Sequence, residues 1–397
     1  MSSSYREEFL SSTATNSERL IPRGRSIEKP MSGVIVHEWI EPIGGAEKVL
    51  DSMAATFQDA EIICLWNDAP DRYPDHLVRE SWLARTPLRE HKALALPAML
   101  AAWRTLPYRG YDWALVSSHA FAHHVRFRKQ PDDFRKYVFA HTPARYIWAP
   151  ELDTRGSRAS ARATAPFFQS IDRRRAQEAF SIAAVSSYVQ KRIDHAWNRE
   201  SIIIHPPVDV ERIHAVTDWS TQLTTEEEAI VEALPNEFVM GASRFIPYKA
   251  LELVIRVAEA VDTTAVLAGS GPDHARLKAL AESASVPVVF VPRPSDALLF
   301  TLYARAMAYV FPPVEDFGIM PVEAMAIGAP VICSDRGGVT ETVIDGVTGI
   351  HIHDWTSSTL ADEVSRAFSL DPEACKQRSW AFARSRFEAE LNDWIQA

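Results

Sequence analysis

Two glutamates with seven residues between them, Glu315 and Glu323, stand in the segment VEDFGIMPVEAMAIGAPVICSDRGG, residues 314–338. A carboxylate accepts hydrogen bonds on both oxygens, which suits the vicinal hydroxyls of a ribose or a hexose. The pattern places Glu315 in a loop after a strand. Pro321 reads as a first helical residue, where a missing N–H costs nothing. Glu323 then falls in the first turn, and Gly328 ends the helix. The free amides of Phe317, Gly318, Ile319 and Met320, together with the helix dipole, can hold phosphate oxygens. One glutamate alone would read as a helix cap or an exposed side chain. The pair, with Asp-Phe-Gly between and Gly337-Gly338 after, reads as a ligand site.

Cations of the right kind occur upstream. In GASRFIPYKALELVI, Arg244 offers a planar fork and Lys249 a point charge, and together they could neutralise a diphosphate. Two ordinary surface cations near a helix start is the plainer alternative. Gly269 and Gly271 in VLAGSGPDHARL permit close backbone approach, or form a simple turn. Gly44 and Gly45 in IGGAEKVL open a helix whose amides could meet a phosphate or a second substrate. His119 in DWALVSSHAFAHHV and His141 in HTPARYIW each follow a strand, where an imidazole can bond a sugar hydroxyl or simply serve the core. His123 and His124 read as plain helix residues. Cys64, Cys333 and Cys375 have no metal-like spacing, and no Asp-x-Asp follows a strand, since Asp132-Asp133 lies in a polar loop. The expectation is therefore no metal ion and no other cofactor.

These residues need elements to hold them. Short apolar runs (GVIVHEW, EIICLW, WALVSS, KYVFAH, FSIAAVSS) alternate with amphipathic ones, which indicates a doubly wound parallel sheet. Pro206-Pro207 then makes a stiff connection, and the alternation restarts with EFVMGAS, TAVLAGS, VPVVFV, AMAYVFPP and APVICSD. At 397 residues, two domains are expected. The boundaries read as a flexible polar leader over 1–30, a first Rossmann-like domain over 31–207 and a second over 208–378. The amphipathic helix 379–397 either closes the second domain or crosses back to the first. Both lines of site residues fall where such sheets bind ligands, at the carboxyl ends of strands.

Composition narrows the function classes. The net charge of −10 argues against a nucleic-acid partner, yet residues 71–200 carry an excess of nine positive charges and residues 201–397 an excess of fourteen negative ones. No apolar run is long enough to span a bilayer, no signal peptide is evident, and three scattered cysteines suit a reduced cytoplasmic setting. Residues 94–110 (LALPAMLAAWRTLPYRG) read either as core plus solvated face or as a docking surface at an anionic membrane.

The Glu-x7-Glu block followed by GGVTETVIDGVTG, with the GASRF, VLAGSG and IGGAE segments in the same order, resembles the signature of glycosyltransferase family 4 over residues 31–397. The resemblance implies a GT-B fold, two Rossmann-like domains facing across a cleft, and retaining transfer from a nucleotide-sugar donor without a metal. It implies that Arg244 and Lys249 clamp the donor diphosphate and stabilise the leaving group. Glu315 would lie against the sugar hydroxyls, Glu323 and Gly45 on the donor, and the backbone near Arg293, in VPRPSDALLF, at the base. His119 would sit close to the donor sugar, with Gly44, His141 and Arg145 on the acceptor side. The block HTPARYIW is similar to mannosyltransferases of exopolysaccharide and O-antigen assembly, which makes GDP-mannose the first donor and a glycan or lipid-linked species the acceptor, at the inner face of the cell membrane. UDP-sugars, a nucleotide-sugar epimerase and a non-catalytic nucleotide-sugar-binding subunit remain as alternatives.

Overall fold

A computed structural model describes residues 32–148 and 159–397. The leader assigned to residues 1–30 lies outside them. Among the described residues, thirteen strands form two sheets in which every pairing is parallel. The first contains β1 (Gly33–His37), β2 (Glu61–Cys64), β3 (Val78–Glu80), β4 (Trp113–Ser118), β5 (Arg135–Ala140), β6 (Ser181–Ala184) and β7 (Ile202–Ile203), ordered 3-2-1-4-5-6-7. The second contains β8 (Phe238–Arg244), β9 (Thr264–Ser270), β10 (Val288–Val291), β11 (Ala308–Phe311), β12 (Val331–Ser334) and β13 (Gly349–Ile352), ordered 10-9-8-11-12-13. These are the two doubly wound α/β layers that the alternation implies.

The central strands are largely apolar and buried because helices cover both faces of each sheet. In β8, Phe238 and Met240 enter one core while Val239 enters another, as the two-residue period of a strand requires. β3, β7 and β13 escape the sequence reading. β3 and β7 have no buried residue, and at two or three residues they are too short to show a period.

Each sheet reverses its order at one point, between β1 and β4 in the first and between β8 and β11 in the second. Strands diverge there and leave a crevice at their carboxyl ends. His37, Glu38 and Trp39 continue from β1 and His119 follows β4, flanking the first crevice. Arg244 ends β8 and Glu315 follows β11, flanking the second.

The chain passes between the sheets twice, side by side: Val208 N donates to Phe382 O at 3.0 Å, with Val208 and Ala383 in a bridge. The C-terminal stretch is not one helix. A helix ends at Ser379, Trp380–Phe382 make a 3₁₀ turn, and extended Ala383 precedes the helix Arg384–Gln396. That last helix lies on the first sheet, where Tyr137 Oη donates to Ile395 O (3.1 Å) and Trp394 Nε1 to Ser181 Oγ (2.9 Å). Trp380, just before it, is 45% exposed and stacks on His214.

Candidate active site

The helix carrying Glu323 runs Ile319–Ile327, with Gly318 and Gly328, both at positive φ, as its caps. Glu323 is therefore its fifth residue, in the second turn rather than the first. Pro321 is the third residue and not the first, still among the positions whose N–H lacks an intrahelical acceptor. Both signature glutamates are paired. Lys249, buried in the 3₁₀ turn Pro247–Lys249, contacts Glu315 directly, and Lys48 Nζ donates to Glu323 Oε1 at 3.1 Å.

Lys48 was not among the residues singled out from the sequence. It lies on the helix Gly45–Thr56 of the first lobe, so its bond to Glu323 crosses the cleft. The Glu323 carboxylate raises its pKa. A lysine near a helix N-terminus opposes the dipole, and that misfit was the signal available in IGGAEK. Gly45 faces Ile319 across the same gap, at ordinary contact distance from where its Cβ would be. At Gly44 the space of a side chain is taken by the buried Glu47 carboxylate, which accepts the Glu41 amide at 3.2 Å.

Gly269 and Gly271 are needed for a reason internal to the fold. At positive φ, their Cβ atoms would fall 1.9 Å from Ser243 O and 2.4 Å from Phe245 O. The close approach is to the end of β8, and it holds the Arg244 turn. Arg244 and Arg293 are both exposed, and among the described residues no hydrogen bond or ion pair ties either to the glutamates. Arg293 has positive φ in the turn after β10, the edge strand of the sheet.

On the first lobe a histidine cluster lines the crevice. Ser117 Oγ lies 3.0 Å from His37 Nδ1 and 2.9 Å from His141 Nε2, while His119 stands edge-on to Trp39 with centroids 4.9 Å apart and 6.1 Å from His141. Burial holds the pKa of His37 down to about 3 and that of His141 to about 4, so both are neutral near pH 7. Glu38 Oε1 accepts the amides of Ala120 (2.8 Å) and Ala122 (2.6 Å) and thereby fixes the His119 loop. Its burial pushes its pKa up to about 7 despite these bonds. The polar pair His37-Glu38, interrupting an apolar strand, was the unread signal. Arg145 stands in the seam between the lobes, bonded to Asp316 (Nε to Oδ2, 3.1 Å).

His123 and His124 are not plain helix residues. They are fully buried on a 3₁₀ turn and both point Nε2 at Asp172 Oδ1, at 3.1 and 2.9 Å. This trio could supply three ligand atoms to a metal, the one such group among the described residues. Asp172 Oδ2 also accepts Trp148 Nε1 (2.7 Å) and Trp197 Nε1 (2.6 Å), and Oδ1 is hydrogen-bonded to His124 Nε2 (2.9 Å), so both carboxylate oxygens are already engaged. That is the chemistry of a buried, fully bonded carboxylate. A separate recess of about 660 Å³, lined by residues such as Glu252, Arg256 and Leu280 on the outside of the second lobe, contains none of the site residues.

Two facing Rossmann-like lobes with these crevices define the GT-B architecture of glycosyltransferases. Residues 224–381 match the family described as glycosyl transferases group 1. Among curated relatives, D-inositol 3-phosphate glycosyltransferase of Mycolicibacterium smegmatis is 28% identical over 213 residues, covering 51% of this chain and 46% of the relative. The GDP-mannose-dependent alpha-(1-6)-phosphatidylinositol monomannoside mannosyltransferase of the same organism is 29% identical over 192 residues, covering 45% and 50%. The chain thus spans about half the length of the curated relatives it matches. Among solved structures, Anabaena Alr3699/HepE in complex with UDP superimposes with a TM-score of 0.67 at 18% identity, over 92% of this chain and all of that one.

Proposed function

We propose that the chain is a metal-independent, retaining glycosyltransferase that moves a hexose from a nucleoside-diphosphate sugar to a glycan or lipid-linked acceptor. One observation carries the reading: two carboxylates, Glu315 and Glu323, sit at the carboxyl edge of a doubly wound sheet, each matched with a lysine. A donor can take over these charges pairwise. Ribose hydroxyls replace Lys48 on Glu323, and the diphosphate draws Lys249 away from Glu315, with Arg244 and the amides at Ile319 and Met320 completing an anion site. As the bond from anomeric carbon to phosphate oxygen breaks, the extra negative charge on the leaving diphosphate meets cations already in place. Glu315, released to the sugar hydroxyls, opposes the positive charge that grows on the ring. The acceptor oxygen bonds to the anomeric carbon on the face the phosphate leaves, and its proton passes to a phosphate oxygen. His141, held neutral by burial, and His119 beside it are suited to orient hydroxyls.

GDP-mannose is the first donor, supported by the HTPARYIW block and by the name of the mannosyltransferase relative. A UDP-sugar is the second reading, favoured by the UDP complex of the Anabaena neighbour. Titrating the protein calorimetrically with GDP and UDP, then following transfer or hydrolysis with a panel of GDP- and UDP-sugars, tests both. Binding of GDP but not UDP selects the first reading. Binding of neither nucleotide, with every sugar left intact, would refute the transferase.

A further inference from the structure

Between the two glutamates lies Asp316, and the first lobe grips it from two elements. Its Oδ2 accepts Arg145 Nε at 3.1 Å and also Arg145 Nη2, and its Oδ1 accepts Arg192 Nη1 at 2.7 Å. The side chains on both sides of these pairs are at most 21% exposed, so solvent screens them little. Its backbone is held as well. Ser186 Oγ donates to Asp316 O at 2.6 Å, and Gly338 N donates to Glu315 O at 2.7 Å. A Cβ on Gly338 would fall 2.1 Å from Asp316 O, so only glycine lets the second loop lie on this peptide.

We propose that Asp316 is a positioning residue, through which Arg145 and Arg192 set the Glu315 loop in register with the first lobe. The proposal rests on the transferase reading for the role of Glu315, though not for the grip itself. Arg145 follows His141 by four residues and opens the short helix Arg145–Trp148. One loop of the first lobe thus carries both a group that faces the crevice and the hand that holds Glu315. A second acidic residue provides the contrast. Glu341 also joins the lobes, accepting Ser187 N (2.7 Å), Ser187 Oγ (2.8 Å) and Tyr188 N (3.2 Å), but its carboxylate has no bond to the Glu315 loop. Losing it should loosen the seam without moving Glu315.

The test compares Asp316→Asn, Asp316→Glu, Glu341→Gln and the double variant Arg145→Gln/Asp316→Asn in the full chain. By hydrogen exchange, Asp316→Asn should speed the Gly338 amide, which is bonded to Glu315 O, about tenfold, Asp316→Glu should restore much of the protection, and Glu341→Gln should change residues 186–189 alone. In steady-state transfer, Asp316→Asn should lower kcat about ten- to a hundredfold with donor KM within about threefold of wild type. The double variant should lose no more than Asp316→Asn. Unchanged exchange of the Gly338 amide in Asp316→Asn overturns the proposal. So does a kcat loss that Glu341→Gln reproduces, which would make Asp316 mere adhesive between lobes. A wild-type protein that uses no nucleotide sugar sinks the transferase reading, and the exchange experiment then decides on the grip alone.

Discussion

Glu315 and Glu323 share a residue type and differ in surroundings, so their amide variants should fail differently. Glu323 is tied to Lys48 of the facing lobe, and its proposed work is to hold the donor. Glu323→Gln should weaken donor binding with the larger change in KM. Glu315 is tied to Lys249, and its proposed contacts strengthen as charge develops at the anomeric carbon. Glu315→Gln should therefore lower kcat by about tenfold or more while donor affinity, measured by calorimetry, changes little. Both variants turning over normally with reduced melting temperatures would make the pair structural. Asp172 offers the contrast of a purely architectural carboxylate. In Asp172→Asn the amide nitrogen must face either the histidine nitrogens, which can accept it only by changing tautomer, or the two tryptophan donors, which cannot accept it at all. The expected loss is about 3–5 kcal/mol in urea unfolding, the scale for breaking a buried charged network.

At the scale of elements, the carboxyl ends of β1, β4 and β5 bring buried titratable groups together, and stability should report them. Burial lowers His37 to about 3 and His124 and His141 to about 4, against 6.5 for an exposed histidine. Between about pH 4 and 6.5 the unfolded chain binds protons that the native histidines refuse, so stability rises with pH through that window. Glu38 acts in the opposite sense. With its pKa raised to about 7 from 4.5, the native state keeps a proton that the unfolded chain loses, and its contribution declines between those values. Three groups outweigh one. The urea midpoint should climb from pH 4.5 to 6.5, and Glu38→Gln, which keeps an oxygen for the Ala120 and Ala122 amides, should steepen the climb. A flat profile would mean that these imidazoles are not held neutral by burial.

For the whole molecule, the proposed positive field comes from the chain itself: Arg244, Lys249 and the amides at the start of the Ile319–Ile327 helix. Excess EDTA should leave transfer nearly intact, while Arg244→Ala or Lys249→Ala should cost tenfold or more, since a charge-assisted contact contributes roughly 1.5–3 kcal/mol. Loss on chelation that magnesium or manganese restores would contradict the metal-free reading. The basic excess within residues 71–200 bears on the acceptor. No helix among the described residues is long and apolar enough to cross a membrane. If a lipid-linked acceptor is used, the chain should sediment with anionic vesicles at low salt and be released as salt is raised. Equal binding to neutral vesicles would detach the basic excess from that role.

The sequence alone determined what is local. Apolar runs of four to seven residues bounded by Gly, Pro and polar turns marked most strands, and Gly328 marked a helix end. The Glu-x7-Glu spacing marked a loop and helix pair at the edge of a sheet, because covalent spacing and backbone preference suffice for such features. What crosses between lobes had to wait for the folded chain. Lys48 is 275 residues from Glu323, and Asp316 is 171 from Arg145 and 124 from Arg192. Nothing in one segment specifies a partner so distant; the meeting of the two lobes and the doubled crossing at Val208 and Ala383 do. The same holds for Asp172, which reads as one more charge on a polar helix. Only packing three segments around it turns it into the buried centre of a hydrogen-bond network, since burial is a property of the assembled core and not of the residue.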